Sequence, residues 1–216
     1  MLSKNMASIN MVTKKKNLIA YEHKRNFSKT PEPRAKKPSR KKKSPLFVIQ
    51  EHHASHLHWD LRIEIDGVLK SWAVPKGPST NPKEKRLAIE TEDHPMAYAH
   101  FEGTIPEGLY GAGTVMVWDI GTYQNIRGGD KAIIPMKTCY EQGRIEIVFE
   151  GTKLKGAYAL VHFRPNEKNW LFFKVTDEYA SVDSIIKTHN KSAVTDRSIE
   201  QIAQQTKNHP LTENIS

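Results

Sequence analysis

Four histidines, an aspartate and an arginine crowd the eleven residues from His52 to Arg62, which read HHASHLHWDLR. Within this run His58, Asp60 and Arg62 alternate with Leu57, Trp59, Leu61 and Ile63. That two-residue period belongs to a β-strand with one polar and one apolar face. Imidazole and carboxylate groups on one strand face suit a divalent metal such as manganese or zinc. The neighbouring arginine suits a bound phosphate, because its planar fork pairs two oxygens at once. His52 lies six residues before His58, so an extended chain or a hairpin brings it to the same site. His53 has the opposite parity, whereas His56 shares the parity of the ligands and spacing alone does not exclude it.

Further along the chain, Arg86 opens the strand-like run RLAIE and is a candidate second phosphate clamp. His94 sits in EDHPMAY, just before a proline and four residues before Tyr98. A histidine so placed can act as a general acid or hydrogen-bond a non-bridging phosphate oxygen. His100, His162 and His189 have no comparable company and read as structural or exposed. The loop WAVPKGPS (72–79) is stiffened by Pro75 and Pro78, and FEGTIPEGLYGAG (101–113) carries four glycines. Glycines let backbone amides approach a phosphate closely, although most such loops are only turns.

The elements that must position these residues read mainly as strands: 46–50, 57–65, 68–74, 86–91, 114–119, 144–150, 156–163 and 170–176. Each run is short, rich in β-branched and aromatic residues, and fenced by Gly, Pro, Asn or Asp. Asp66-Gly67 between two of them signals a tight hairpin. The spacing predicts an all-β fold, a compact antiparallel barrel with few helices, one near 196–206 capped by Ser198 or Asp196 and a short turn near 94–98. The division is expected to be a disordered stretch 1–20, a basic arm 21–45 containing YEHKRNFSKTPEP, a barrel 46–180 and a helical or flexible tail 181–216. Tyr21 and Phe27 are candidates to pin the arm to the body.

Charge divides the 216-residue chain the same way. Residues 1–45 hold 14 of the 33 Lys and Arg but only two of the 24 acidic residues, so they carry +12 and the remainder −3. The basic arm is an electrostatic footprint for nucleic acid or another polyanion. One cysteine, Cys139, excludes an internal disulfide and fits a reducing compartment. The first 16 residues show no apolar signal core, and no run is long and apolar enough for a membrane span.

Two long stretches, HHASHLHWDLRIEIDGVLKSWAVPKGPS and RLAIETEDHPMAYAHFEGTIPEGLYGAGTVMVWD, resemble the DNA 3′-phosphoesterase domain of the bacterial end-joining ligase LigD and its stand-alone homologues. The resemblance runs over roughly residues 21–176, and with no polymerase or ligase module in the sequence it implies a stand-alone version. It implies a compact β-barrel with a manganese-dependent site that trims DNA 3′ ends. A 3′-terminal ribonucleoside is removed by phosphodiester cleavage, then the remaining 3′-phosphate, leaving a 3′-OH. By position His52, His58 and Asp60 match the metal ligands, which settles the choice against His56. Arg62 and Arg86 match phosphate-binding arginines, and His94 and Tyr98 match residues near the scissile phosphate. In the N-terminal segment Arg25 and Glu32 match residues contributing to activity, but the family's aspartate is replaced by Asn26, an amide that cannot serve as a carboxylate base.

The resemblance further implies a monomer acting on primer-templates with a 3′-ribonucleotide or 3′-phosphate, a separate ligase or polymerase as partner, no membrane, and a cytoplasmic, nucleoid-associated location. A reading from another class is a non-catalytic DNA-end-binding module that recruits repair enzymes; it explains the arm and the arginines but gives the His/Asp face no task.

Overall fold

The computed structural model of the chain describes residues 18–35, 44–129, 132–163 and 167–208. Nine antiparallel strands lie among the described residues: β1 (Leu46–His53), β2 (Leu57–Ile65), β3 (Val68–Val74), β4 (Arg86–Glu90), β5 (Gly103–Ile105), β6 (Gly113–Asn125), β7 (Arg144–Gly151), β8 (Lys155–His162) and β9 (Asn169–Lys174). They follow the order β1-β2-β3-β4-β9-β8-β7-β6, and β6 pairs back to β1 to close an eight-stranded barrel. β5 flanks β6 as a ninth strand. The expected all-β barrel is the fold observed. The short helices are α1 (Ile19–His23), α2 (Met136–Glu141), α3 (Ile185–Thr188) and α4 (Ile199–Asn208), with a 3₁₀ turn at Met96–His100. None of the described helices is long and apolar enough to cross a membrane.

Closure leaves two distinct apolar layers. The inner one fills the barrel and includes Phe47, Ile49, Trp59, Leu61, Ile63, Trp72, Trp118, Phe149 and Trp170. Because strand side chains alternate, Val48, Gln50, His52, His58, Asp60 and Arg62 point the other way. A second cluster covers part of that outer face: Tyr21 from α1, Val48 and Leu69, Tyr98 and Ala99 from the 3₁₀ turn, Ile105 of β5, and Val115 and Val117 of β6. Tyr21 is fully buried and Phe27 packs against the same cluster, so the described part of the N-terminal arm is pinned to the barrel.

Two turns fix the registers that matter for the site. Asp66 and Gly67 have φ of 53° and 77° and join Ile65 directly to Val68 across the β2–β3 pair. Positive φ at both central residues is the signature of the two-residue hairpin turn that matches strand twist. Gly113, φ 133°, opens β6 against the β1–β2 turn; a Cβ there would stand 2.3 Å from the His53 carbonyl oxygen. The glycine-rich loop can therefore lie against the hairpin that carries the histidines.

At the C-terminal end, Ile199 and Ile202 of α4 enter the inner core. Trp118 Nε1 donates to the His189 carbonyl at 2.6 Å. Ser198 caps the helix, with Gln201 N donating to Ser198 Oγ (3.4 Å) and Ser198 N donating back to Gln201 Oε1 (2.9 Å), a capping box. Of the stretch 1–20 expected to be disordered, 1–17 lies outside the described residues, Leu18 stands just before α1 and 19–20 enter it; residues 36–43 of the basic run and 209–216 of the tail also lie outside the described residues.

Gly113→Ala is expected to destabilise the fold by about 1–3 kcal/mol, from the strained φ together with the clash on the β1–β2 turn. Denaturant unfolding measures this; a midpoint equal to wild type would show that the loop does not need the close approach.

Candidate metal centre

The β1–β2 register sets His52 opposite His58 and Gln50 opposite Asp60. One side-chain donor atom from each of His52, His58 and Asp60 falls within 4.8 Å of the others. His52 Nδ1 lies 3.8 Å from Asp60 Oδ2, and His58 Nε2 lies 3.8 Å from Asp60 Oδ1. These separations are too long for hydrogen bonds. They suit donors that share one ion, since two ligands at about 2.0–2.2 Å from a metal stand no more than about twice that distance apart. The donors are also prepared for it. His58 Nδ1 donates to the His56 carbonyl at 2.9 Å, which leaves the Nε2 lone pair towards Asp60. His52 Nε2 is buried without a hydrogen-bond partner. His56 itself is exposed and contributes only that carbonyl. The three residues fit a divalent metal, and their donor set does not identify which one.

Behind the metal group sits Arg62, only 3% exposed. Its Nη2 donates to Asp60 Oδ2 (2.9 Å), its Nε to Gln50 Oε1 (2.7 Å), and its guanidinium lies 4.8 Å from the Tyr98 ring centre. Burial alone would raise the Asp60 carboxyl, but Arg62 and the two imidazoles outweigh it and hold the group well below the usual carboxylate range.

His94 hydrogen-bonds to β3 through reciprocal backbone bonds with Leu69 (2.8 and 2.9 Å). Its Nδ1 faces Arg62 Nη1 at 2.9 Å, the Glu92 carbonyl at 2.9 Å and Ser71 Oγ at 3.1 Å. Its Nε2 faces Arg25 Nη2 at 3.4 Å. Burial, then Arg62 and Arg25, push its pKa well below 6.5, so the ring is neutral at neutral pH. Tyr21 and Tyr98 pack edge-on against it, at 5.2 and 4.7 Å between ring centres. Burial likewise keeps the Tyr98 phenol protonated, a hydrogen-bond donor.

The N-terminal segment adds the last wall. Arg25 Nε pairs with Glu32 (2.7 Å), and its Nη1 with Glu92 (3.1 Å). Thr30 Oγ1 donates to Glu32 (2.9 Å). Glu92 also receives Lys24 (2.9 Å) and the Tyr110 hydroxyl (3.1 Å). Asn26 is exposed, and its Oδ1 accepts from Ser28 N (3.1 Å) and Ser28 Oγ (2.7 Å). It shapes the turn after α1, a task an aspartate would perform equally.

A cavity of about 260 Å³ gathers most of this: Arg25, His52, His58, Asp60, Arg62, His94 and Tyr98 line it, together with Thr91, Glu92 and Tyr110, which spacing did not single out. Glu92 was two residues from a noted histidine, and Tyr110 sat in the noted glycine-rich loop. Neither has a sequence partner to mark it, because their contacts cross the chain. Arg86 is not brought to the cavity. It pairs with Phe172, an inner-core residue, so it faces away from the metal group and binds Glu84 instead.

Fold and site together define a β-barrel whose outer face carries a candidate metal-ligand group and a buried arginine at a polar cavity. Residues 50–162 match the family model described as the DNA Ligase D 3′-phosphoesterase domain, and the chain belongs to that family. It is 40% identical over 190 residues to the multifunctional non-homologous end joining protein LigD of Pseudomonas aeruginosa, covering 85% of this chain and 22% of that protein. The LigD of Mycolicibacterium smegmatis is 43% identical over 164 residues, 74% of this chain and 21% of that one. The Mycobacterium tuberculosis multifunctional non-homologous end joining DNA repair protein LigD is 40% identical over 183 residues, 82% and 23% respectively. The chain thus spans about a fifth of the length of these curated relatives.

Two outcomes follow from the geometry. His58→Ala should lower the affinity for added Mn²⁺ or Zn²⁺ by at least about 10–100-fold, the loss seen on removing even an outer partner of a ligand; calorimetric titration of a variant with unchanged melting temperature checks this, and undiminished affinity removes His58 from the ligand set. Keeping His94 neutral contributes stability that is complete above about pH 6.5 and is lost as pH falls toward the depressed folded value, at up to about 1.36 kcal/mol per pH unit. His94→Gln should therefore show a shallower loss of unfolding free energy than wild type between about pH 6.5 and 5; identical slopes would mean that the ring charges in the folded state.

Proposed function

We propose that this chain is a manganese-dependent DNA 3′-end-processing phosphoesterase. It removes a 3′-terminal ribonucleoside by phosphodiester cleavage and then the 3′-phosphate, leaving a 3′-OH for a polymerase or ligase. The observation that carries this reading is the convergence of His52, His58, Asp60 and the buried Arg62 in one cavity of a chain that belongs to the 3′-phosphoesterase family. It acts in the cytoplasm at the nucleoid, as a monomer on primer-template ends, and the basic run 34–43 draws the polyanion in.

His52, His58 and Asp60 would hold the cation, which when bound supplies Lewis-acid charge neutralisation and lowers the pKa of water. The rest is done by the chain. Arg62, held rigid by Asp60 and Gln50, presents fixed positive charge to the phosphoryl oxygens, where it costs no reorganisation as charge develops. Tyr98 donates a hydrogen bond from a phenol that stays protonated. His94, being neutral, serves as a hydrogen-bonding group between two arginines and not as a resting acid. Arg25, aligned by Glu32 and Glu92, extends the positive wall toward the substrate, and Asn26 and Glu32 support it through the turn after α1.

Incubation with Mn²⁺ and a primer-template bearing either 3′ end tests the proposal. Wild type should release nucleoside and phosphate, while Arg62→Lys, which keeps a charge but loses the fork, should lose on the order of 10²–10³ in kcat while binding metal normally. DNA binding without turnover would sink the enzyme reading in favour of a non-catalytic end-binding module.

A further inference from the structure

Two aromatic side chains line the cavity, and they are in opposite states. Tyr98 is 2% exposed, with its ring boxed by His94 and Arg62. Tyr110 is 48% exposed and stands at the rim on the glycine-rich loop. Its hydroxyl donates to Glu92 Oε2 and accepts from Lys24 Nζ, both at 3.1 Å, and Lys24 Nζ lies 4.4 Å from the ring centre. The ring is thus held in place by its polar tip while its apolar body faces solvent. Ala54, Ile105 and Gly111 continue the wall around it. This wall is the apolar side of a cavity whose remaining lining is mostly polar: the candidate metal ligands, Arg25 and Arg62, and Thr91, Glu92, His94 and Tyr98. The two cations near the ring, Lys24 and Arg25 (5.5 Å from the ring centre), are both already paired with Glu92. Such a surface is poorly suited to a phosphate and well suited to the flat face of a base.

We infer that the Tyr110 ring stacks on the base of the nucleoside leaving from the DNA 3′ end, and so selects the diester substrate over the monoester. The inference rests on the phosphoesterase reading of the cavity. Stacking fits an end-trimming site because every base has a π-face, so a ring recognises the presence of a base without reading its identity. It also assigns the two ends of the cavity: phosphate at the arginine and metal group, departing nucleoside at the glycine-rich loop.

The test compares kcat/KM on one primer-template carrying three 3′ ends: a ribonucleoside, an abasic ribose and a phosphate. Wild type should prefer the ribonucleoside over the abasic end by roughly 5- to 150-fold, the range for one base–aromatic stack. Tyr110→Ala should lose that preference and lower the diester-to-monoester ratio by the same factor. Tyr110→Phe, which keeps the ring and drops the hydroxyl, should retain both ratios. A Phe variant as impaired in these ratios as the Ala variant would show that Tyr110 only positions Glu92 and Lys24 and overturns the inference. So would an equal loss on all three ends in Tyr110→Ala. A wild type that turns over both diester and monoester but treats abasic and intact ends alike overturns the stacking alone; a wild type inactive on every end overturns the phosphoesterase reading and the inference with it.

Discussion

A guanidinium taken out of water on the outside of a β-barrel is the constraint around which this molecule is arranged. Arg62 sits on β2 with almost no exposure, and an unpaired buried charge is among the most costly things a fold can contain. Its surroundings answer that cost in three directions: Asp60 two residues along the same strand, Gln50 on the paired strand, and His94 from a loop bridged to β3. Gln50 is in turn fixed by donating to the Tyr98 and Phe101 carbonyls, at 3.1 and 3.0 Å. The same bonds that neutralise the arginine therefore set the orientation of a candidate metal ligand, a histidine and the 3₁₀ turn. Moving any one of them leaves another buried polar group without its partner.

An eight-stranded barrel has an interior only wide enough for its own side chains, and here tryptophans and phenylalanines fill it. The polar site had to be built on the outer surface, where water would normally weaken its electrostatics. A second layer removes that water. It is assembled from the N-terminal segment and, far along the chain from it, the neighbouring 3₁₀ turn and β5. In that sheltered region a hydrogen-bonded charge acts at lower effective dielectric than on open surface. The N-terminal segment is thus more than a tether for the basic residues beyond it, because Tyr21 shields His94 and Arg25 adds the second guanidinium.

Much of this could be read from the chain before its fold was known, and the parts that could not share a physical cause. Alternation in 57–65 revealed both faces of β2, since period-2 patterning is local and the hairpin at Asp66-Gly67 is encoded by two residues. The metal group followed because His52 is brought to His58 by the very next strand pairing. β5 escaped notice because three residues carry no period, and α1, α2 and α3 because four to six residues carry barely one helical turn. Arg86 shows the limit of reading a strand in isolation: RLAIE has apolar residues on both parities, so the pattern does not say which face meets the core. That was decided by pairing with β9, more than eighty residues later. Glu92 and Tyr110 belong to the same class, being defined by Lys24 and Arg25 across the chain.

The charges of the cavity bear on the proposed pairing of cation and phosphate. Lys24 and Arg25 face Glu92 and Glu32, and Arg62 faces Asp60, so three cations meet three carboxylates. A divalent cation arriving alone would find its carboxylate ligand already sharing an oxygen with Arg62. A phosphate dianion arriving alone would meet guanidiniums whose charge is already spent on carboxylates. On the proposed reading the two together would keep the cavity neutral: the cation would share the charge on Asp60, and Arg62, still held by Gln50, would offer its fixed charge to the phosphate. On that reading linkage requires each to raise the affinity for the other by the same factor. The ion pair between Arg62 and Asp60 therefore keeps both groups oriented and paired, the fixed arrangement that the proposed function requires of them.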